Sequence, residues 1–253
     1  MNIPRVIPVL LLRDGGVVKS VRFKDHTYIG DPLNAVRIFN EKEVDEIAVI
    51  DIGATIQNSL PDFDLIKQIA GEAFMPMSYG GGITEIEHIR RVINNGVEKV
   101  ILQNAALSDP GLIREAAGQF GSQSIIVCLD VKRNWWGRYE VRSKNGRKKW
   151  KGTPQDWAIR MEDAGAGELI IQSVDRDGTM KGYDHHLQGM ISNVVNIPVV
   201  ALGGANSLDD MKACKQAGAS AVAAGSFFVF QGPHRAVLIS YPKRSELLEA
   251  FKD

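Results

Sequence analysis

Aspartates at the ends of apolar runs are the residues of this sequence best suited to proton transfer. The run Ser124–Arg133, SIIVCLDVKR, is apolar up to Asp130, and it predicts a strand buried on both faces. Proteins built of alternating strands and helices carry their chemistry at the carboxyl ends of the strands. Asp51, Asp175 and Asp177 lie at similar positions. Carboxylates there can act as general acids or bases, although each residue could equally be a turn or cap aspartate.

A second apolar run of the same character lies earlier in the chain. Val6–Asp14, VIPVLLLRD, also ends in a basic–acidic pair. Further segments match in the same order: VIDIGAT matches SVDRDGT, and YGGGIT (Tyr79–Thr84) matches LGGANS (Leu202–Ser207). These matches indicate that one half of the protein repeats the other. The first copy has Leu11 where the second has Asp130.

Glycine clusters follow several of the predicted strands. Gly80–Gly82 and Gly203–Gly204 are related by the repeat, and Ala224–Ser226 follows the last strand. Glycine lets backbone amides approach an anion closely, so these loops can hold phosphate groups. Two related clusters predict two phosphate sites and a ligand phosphorylated at both ends. Lys19 could pair with a phosphate or a carboxylate, although an isolated lysine is usually solvated.

Four charged residues stand at the predicted starts of strands: Arg5, Glu46, Lys99 and Glu168. If their side chains point inward, two cations and two anions meet at one end of the fold. Buried charges are tolerated only when they are paired, so a closed ring of salt bridges would result. The residue types alone favour four surface charges.

Eight strand patterns alternate with helical patterns, which is typical of a (β/α)₈ barrel. The predicted strands are Arg5–Leu12, Ile47–Ile52, Pro76–Tyr79, Val100–Gln103, Ile125–Asp130, Leu169–Val174, Pro198–Leu202 and Ala221–Ala224. A doubly wound sheet is the alternative, but it usually has fewer strands. We predict a loop over Val21–Asp31. No linker or low-complexity segment interrupts the chain, so we expect one domain over residues 1–253.

The segment Asn134–Lys151, NWWGRYEVRSKNGRKKWK, is unlike the rest of the chain. Asn145 and Gly146 form a hairpin signal between alternating residues, which predicts a β-ribbon in the loop after the fifth strand. Its basic residues and tryptophans could contact nucleic acid. A substrate lid or a solvated ribbon over the mouth of the barrel fits the loop position better.

The composition is that of an ordinary globular protein. The 253 residues are 44% hydrophobic with 30 basic and 30 acidic side chains, so no basic excess suggests binding to nucleic acid or to a membrane. No apolar run is long enough to cross a bilayer, and the first residues fit a core strand better than a signal peptide. We expect a cytoplasmic protein with reduced Cys128 and Cys214, no metal and no cofactor.

Several segments resemble the HisF family, the cyclase subunit of imidazole glycerol phosphate synthase. They are DGGVVK (Asp14–Lys19), YGGGI (Tyr79–Ile83), FGSQSIIVCLDVKR (Phe120–Arg133) and GAGELIIQSVDRDGTMKGYD (Gly165–Asp184). The resemblance covers nearly the whole chain and implies a (β/α)₈ barrel of two similar halves. It also implies a HisH-like glutaminase docked at the amino-terminal face. Ammonia from that partner would pass a ring of four charges and react with a doubly phosphorylated nucleotide at the carboxyl face.

The resemblance also assigns roles to individual residues. Asp130 matches one of two catalytic aspartates and Lys19 a substrate-contacting lysine, and Asp51 is a further catalytic candidate. Phosphate and substrate positions are matched by Gly82, Asn104, Asp177, Gly178, Gly204, Gly225 and Ser226, to which the glycine clusters add Gly81 and Gly203. The family's ammonia gate is matched by Arg5, Glu46, Lys99 and Glu168.

Departures from the family pattern are informative. The other catalytic aspartate of the family falls at Leu11, and Gln103 and Leu202 replace polar residues of the family. The stretch Phe227–Pro242 differs as well. In these features the chain resembles a HisF-like branch associated with acetamidino modification of surface-polysaccharide sugars, in which the ammonia serves a separate sugar amidotransferase.

Three hypotheses about function remain open at the level of sequence. The first is a subunit that conducts ammonia for sugar modification. The second is a histidine-pathway cyclase in which another group, Asp14 or Asp51, replaces the lost aspartate. The third is a phosphosugar isomerase on the same barrel, which would have no need of the four charges at the strand starts.

Overall fold

Eight parallel strands close into a barrel in the computed structural model, which describes residues 3–232 and 234–252. The strands are β1 (Arg5–Arg13), β2 (Gly16–Val21), β3 (Lys24–Gly30), β4 (Ile47–Asp51), β5 (Met77–Gly80), β6 (Lys99–Leu102), β7 (Ile125–Arg133), β8 (Tyr139–Ser143), β9 (Lys148–Lys149), β10 (Glu168–Ser173), β11 (Val199–Leu202), β12 (Ala221–Ala224), β13 (Phe230–Gln231) and β14 (Ala236–Val237). The barrel order is β1, β4, β5, β6, β7, β10, β11 and β12, and β12 pairs with β1. The predicted (β/α)₈ barrel is confirmed, and the doubly wound sheet is excluded.

Helices cover the outside of the barrel. They are α1 (Pro32–Glu41), α2 (Ala54–Gln57), α3 (Phe63–Glu72), α4 (Ile86–Asn94), α5 (Asn104–Ser108), α6 (Pro110–Phe120), α7 (Pro154–Asp163), α8 (His185–Ser192), α9 (Leu208–Gln216) and α10 (Arg244–Ala250). Asp31 and Asp62 cap α1 and α3 by accepting hydrogen bonds from first-turn amides, and Thr153 begins α7 with a capping box. None of the described helices is both long and apolar enough to span a membrane.

Alternation along the strands separates an inner core from an outer one. On β1, Ile7 and Val9 belong to the cluster inside the barrel, while Val6 and Leu10 pack outward against the helices. This alternation follows from the two-residue period of a strand, and both faces are apolar because both are buried. Cys128 packs inside the barrel, and both cysteines are free and buried.

Each half of the barrel has an antiparallel ribbon after its first strand. The ribbon of β2 and β3 extends β1, and the ribbon of β8 and β9 extends β7. The prediction of a loop over Val21–Asp31 is therefore wrong for β3. Arg22 and Phe23 form the turn with φ of 53° and 63°, a left-handed conformation that the sequence normally marks with Asn or Gly.

The divergent stretch near the carboxyl terminus forms the short pair β13–β14 beside the barrel. Tyr241 donates a hydrogen bond from its hydroxyl to the Val6 carbonyl at 2.9 Å, so this stretch is fixed to β1. Pro233 of the stretch lies outside the described residues, as do Met1, Asn2 and Asp253 of the expected domain.

Truncation of the outer core should destabilise the barrel strongly. Leu10 is 1% exposed, whereas Leu248 on α10 is 41% exposed. We expect Leu10→Ala to lower the free energy of unfolding by roughly 2–5 kcal/mol, because it leaves a cavity between sheet and helices. Leu248→Ala should cost less than about 1 kcal/mol. Urea unfolding measures both, and equal losses would contradict the assignment of Leu10 to the core.

Candidate active site

A large cavity opens at the end of the barrel where the strands finish. Its volume is about 460 Å³. Twelve of the residues predicted to act in catalysis or phosphate binding line it: Lys19, Asp51, Gly81, Gly82, Asn104, Asp130, Asp177, Gly178, Gly203, Gly204, Gly225 and Ser226. The candidate Asp175 is not among the residues that line the cavity, and its carboxylate accepts a hydrogen bond from the Arg133 amide at 2.7 Å. Residues far apart in the chain meet here because parallel strands end at one face of the barrel.

Asp130 lies in the wall of the cavity near the end of β7. Its carboxylate accepts a hydrogen bond from Gln103 Nε2 at 2.6 Å, and the Cys128 Sγ lies 3.8 Å from its other oxygen. Burial raises the pKa of Asp130 to about 7, with a contribution from the charge of Asp177, while the hydrogen bonds from Cys128 and Gln103 oppose the rise. A carboxyl group with a pKa near neutrality can both accept and donate a proton.

Lys19 is a buried cation in the same cavity, on β2. Its Nζ donates a hydrogen bond to the Val9 carbonyl. Burial lowers the pKa of Lys19 to about 8, although the charge of Asp177 opposes the change. Asp177 accepts hydrogen bonds from Ser20 Oγ at 3.0 Å and from the Phe23 amide at 3.3 Å. Asp177 therefore ties the first ribbon to the loop after β10.

Leu11 faces the cavity from β1. In the barrel order β1 lies four strands from β7 in either direction, so Leu11 and Asp130 stand on opposite sides of the cavity. An aliphatic side chain can neither transfer a proton nor hydrogen-bond to an intermediate. Of these two related positions, only that of Asp130 carries an acid–base group.

The two aspartates considered as substitutes for an acid at position 11 are engaged elsewhere. Asp51 Oδ1 accepts hydrogen bonds from the amides of Gly53 and Ala54 at 2.8 and 3.0 Å, which fixes the turn before α2. Burial raises the pKa of Asp51, although these two bonds oppose the change. Asp14 is exposed, accepts a hydrogen bond from Gln57 Nε2 at 3.1 Å, and is not among the residues that line the cavity. The structure thus leaves position 11 itself without an acid, and it engages Asp51 Oδ1 in the turn before α2.

Glycine-rich loops form two cradles related by the repeat. The first cradle consists of the loop after β5, with Gly81 and Gly82, and the start of α5, with Asn104. The second consists of the loops after β11 and β12, with Gly203, Gly204, Gly225 and Ser226. A Cβ at Gly81 would lie 2.3 Å from the Asp51 carbonyl, and one at Gly204 would lie 2.2 Å from the Gly182 carbonyl. Both have positive φ, so only glycine lets these backbones approach so closely.

At the opposite end of the barrel the four predicted gate residues form a closed ring. Arg5 bonds to both Glu46 and Glu168, and Lys99 Nζ lies 3.3 Å from Glu46 Oε1 and 3.2 Å from Glu168 Oε2. The glutamates are 4% and 5% exposed. The interpretation of these residues as surface charges is wrong, because their side chains point into the barrel and cation and anion alternate there.

A small apolar cavity lies between the ring and the large cavity. Its volume is about 10 Å³, and Glu46 and Glu168 lie at one end of it. Val9, Ile50 and Leu202 line both this space and the large cavity. A space of this size holds about one water-sized molecule, and ammonia is of that size. Mainly aliphatic side chains therefore lie between the ring and the large cavity.

The residues of the cavity lining that the sequence analysis missed include four from the two ribbons. Phe23 and His26 come from the first ribbon, and Lys144 and Asn145 come from the turn between β8 and β9. The turn signal at Asn145 and Gly146 predicts the second ribbon, but local pattern does not show which side chains of either ribbon face the cavity.

The fold and its cavity define the class of protein: a (β/α)₈ barrel with acid–base side chains and glycine-rich loops at its carboxyl face. A family model described as "Histidine biosynthesis protein" matches residues 5–234. The chain therefore belongs to this family, as a HisF-like subunit of the imidazole glycerol phosphate synthase type, and the resemblance found in the sequence is confirmed.

Individual relatives agree with this family. The chain is 51% identical to a Pseudomonas aeruginosa protein named "Putative imidazole glycerol phosphate synthase subunit hisF2", over 96% of this chain and 97% of that protein. It is 44% identical to "Putative imidazole glycerol phosphate synthase subunit hisF3" of Vibrio vulnificus, over 98% and 96%. It is 43% identical to "Imidazole glycerol phosphate synthase subunit HisF" of Alkaliphilus metalliredigens, over 81% and 82%.

Replacing the buried acid should stabilise the protein at alkaline pH. The pKa of Asp130 is raised from 3.8 to about 7, so the folded state holds this proton more tightly than the unfolded state and loses stability as pH rises through that window. Asp130→Asn removes the loss. We expect the variant to be more stable than the wild type by up to about 4 kcal/mol at pH 8, with little difference at pH 4.

Urea unfolding of both proteins across this pH range measures the effect. Asp64→Asn, at an exposed position on α3, is the matched control and should change stability by less than about 0.5 kcal/mol. An Asp130→Asn effect that does not vary with pH would contradict the raised pKa.

Proposed function

We propose that this barrel receives ammonia from a HisH-like glutaminase at its amino-terminal face and conducts it through the lumen for acetamidino modification of a surface-polysaccharide sugar. The observation that carries the proposal is Leu11, which occupies one side of a cavity whose other features are retained. The acid–base pair of a cyclase is incomplete, while the charge ring and the lumen are present.

The path of ammonia follows from the polarity of the barrel interior. The ring of Arg5, Glu46, Lys99 and Glu168 is the polar entry, and the space above it is lined mainly by aliphatic side chains. A neutral, water-sized molecule such as ammonia enters an apolar space at a far smaller desolvation cost than an ammonium ion does. The interior therefore suits ammonia that is released next to the ring by a docked partner.

The amino-terminal face has apolar side chains suited to such docking. Phe74, in the loop between α3 and β5, is 87% exposed. Val194, after α8, is also exposed on the side where the strands begin. Exposed aromatic side chains of this kind serve as anchors at protein interfaces. These residues support a partner at the end of the barrel that holds the ring.

A second candidate is the cyclase of histidine biosynthesis, which joins ammonia with a bisphosphorylated nucleotide to give imidazole glycerol phosphate and AICAR. The two glycine cradles favour it, because a pure conduit would not need them. In the first candidate the cradles bind a phosphorylated small molecule that signals to the glutaminase. Two relatives carry the numbered names hisF2 and hisF3, which agrees with a branch of the family distinct from the histidine-pathway subunit.

A cyclase assay with excess ammonium and the bisphosphorylated nucleotide separates the two candidates. We expect the wild type to form imidazole product slowly or not at all, because one half of the acid–base pair is missing. Leu11→Asp should raise the rate by at least about a hundredfold, since positioned acid–base groups commonly contribute this much. Leu11→Asn is the control that supplies polarity without a titratable group.

Fast turnover by the wild type would remove the conduit proposal and make the protein a histidine enzyme. Slow turnover with retained nucleotide binding would support the proposal, and the ammonia should then be followed to a sugar.

Loss of a gate cation should affect chemistry fed by glutamine more than chemistry fed by ammonium. Lys99 bridges both buried glutamates, so Lys99→Ala leaves them with Arg5 alone. In the Leu11→Asp background, with the glutaminase bound, we expect product from glutamine to fall by about tenfold or more and product from free ammonium by less than about twofold. Equal losses with both nitrogen sources would count against the ring as an ammonia entry.

A further inference from the structure

Cations are scarce in the large cavity. Among the described residues that line it, the lysines are Lys19 and Lys144, and they stand with three carboxylates, Asp51, Asp130 and Asp177. A ligand with two phosphate groups brings several negative charges, so each phosphate needs a positive group close to it. The positions of the two lysines relative to the two cradles therefore matter.

Lys19 belongs to the second cradle. Its Nζ lies 2.9 Å from the point where a Cβ on Gly225 would stand, so the ammonium lies directly against the backbone of that loop. The first cradle, with Gly81 and Gly82, has no lysine or arginine of its own among the described residues that line the cavity.

The second ribbon is bonded directly to the first cradle. Ser143 Oγ donates to Asn104 Oδ1 at 3.3 Å, and Gln103 Nε2 donates to the Arg142 carbonyl at 3.2 Å. Trp150 Nε1 donates to Ser143 Oγ at 2.9 Å, which holds that hydroxyl in place. The residue that follows these contacts is Lys144, so the ribbon brings it to the edge of the first cradle.

The turn that carries Lys144 has an unusual backbone. Lys144 and Asn145 have φ of 52° and 55°, and Gly146 has φ of 74°. Asn and Gly adopt this left-handed conformation readily, whereas lysine does so at a cost. The turn therefore keeps a lysine where Asn or Gly would adopt the same conformation at lower cost.

The ammonium of Lys144 is available for a ligand. In the described parts of the chain it forms no ion pair and donates no hydrogen bond, whereas Lys149 of the same ribbon pairs with Glu140 at 2.6 Å. The ammonium of Lys148 lies 3.7 Å from the centre of the Trp150 ring. Lys144 is thus a cation at the cavity whose charge the fold itself does not use.

We propose that Lys144 is the phosphate-binding cation of the first cradle, so that each half of the barrel holds one phosphate with one lysine. The ligand class is a sugar or nucleotide derivative that carries phosphate groups at two separated ends. The inference rests on the part of the proposed function that places a phosphorylated ligand in this cavity. The inference makes Lys144 a residue that discriminates between singly and doubly phosphorylated ligands. It also gives the ribbon of β8 and β9 a role in holding one phosphate group.

Calorimetric titration of the full chain with three probes tests the proposal. The probes are the bisphosphorylated nucleotide and the two compounds formed from it, imidazole glycerol phosphate and AICAR, each of which carries one phosphate. We expect Lys144→Ala to weaken binding of the bisphosphate and of one monophosphate by about tenfold, as for loss of a charge-assisted hydrogen bond, and to leave the other monophosphate unchanged.

Arg147→Ala is the matched control, because it removes one exposed charge from the same turn without touching the cavity. It should change all three affinities by less than about twofold, and Lys144→Arg should restore most of the affinity that Lys144→Ala loses. Wild-type binding that Lys144→Ala and Arg147→Ala weaken equally would overturn this inference alone. Failure of the wild type to bind any of the probes would overturn the phosphorylated-ligand part of the proposed function as well.

Discussion

Pairing of charge inside the barrel is the constraint on which the rest of the structure depends. Glu46 and Glu168 are buried at the end where the strands begin, and an unpaired carboxylate there would cost several kcal/mol. Arg5 and Lys99 supply the pairing, and each cation touches both glutamates. The four strands at whose starts these residues lie must therefore keep their mutual alignment, and this alignment also determines where every later residue of each strand lies.

Because side chains alternate between the two faces of a strand, every second residue faces inward, and these residues form successive layers above the charged one. On β1, Arg5 is followed inward by Ile7, Val9 and Leu11. On β10, Glu168 is followed by Ile170 and Gln172, the second of which lines the large cavity. From the amino-terminal end of the barrel to its carboxyl end, the inward-facing layers are thus charged, then apolar, then polar. A neutral molecule can cross such an interior more easily than an ion can.

The electrostatics of the mouth follow from burial more than from ion pairing. Burial raises the pKa of Asp130 to about 7 and lowers that of Lys19 to about 8, so both groups titrate near neutrality. Leu11 adds no charge on the other side of the barrel. The cavity therefore holds a carboxyl group and an ammonium group with shifted pKa values, while the aspartate at position 130 has no counterpart at position 11. Duplicated halves can diverge in this way, because one substitution alters the chemistry without disturbing the sheet.

The sequence by itself determined the barrel, its repeat and most of the lining of the cavity, because apolar strand patterns and glycine loops are local signals. It also determined the asymmetry between Leu11 and Asp130. Only the tertiary structure decided that Arg5 and Lys99 contact the glutamates. Each lies two residues before an inward-facing residue, Ile7 or Ile101, and this spacing already indicated that their side chains face inward. The tertiary structure alone placed Lys144 at the cavity and committed Asp51 to its turn. These outcomes depend on ribbon folding and on hydrogen bonds between distant segments, and neither leaves a pattern in neighbouring residues.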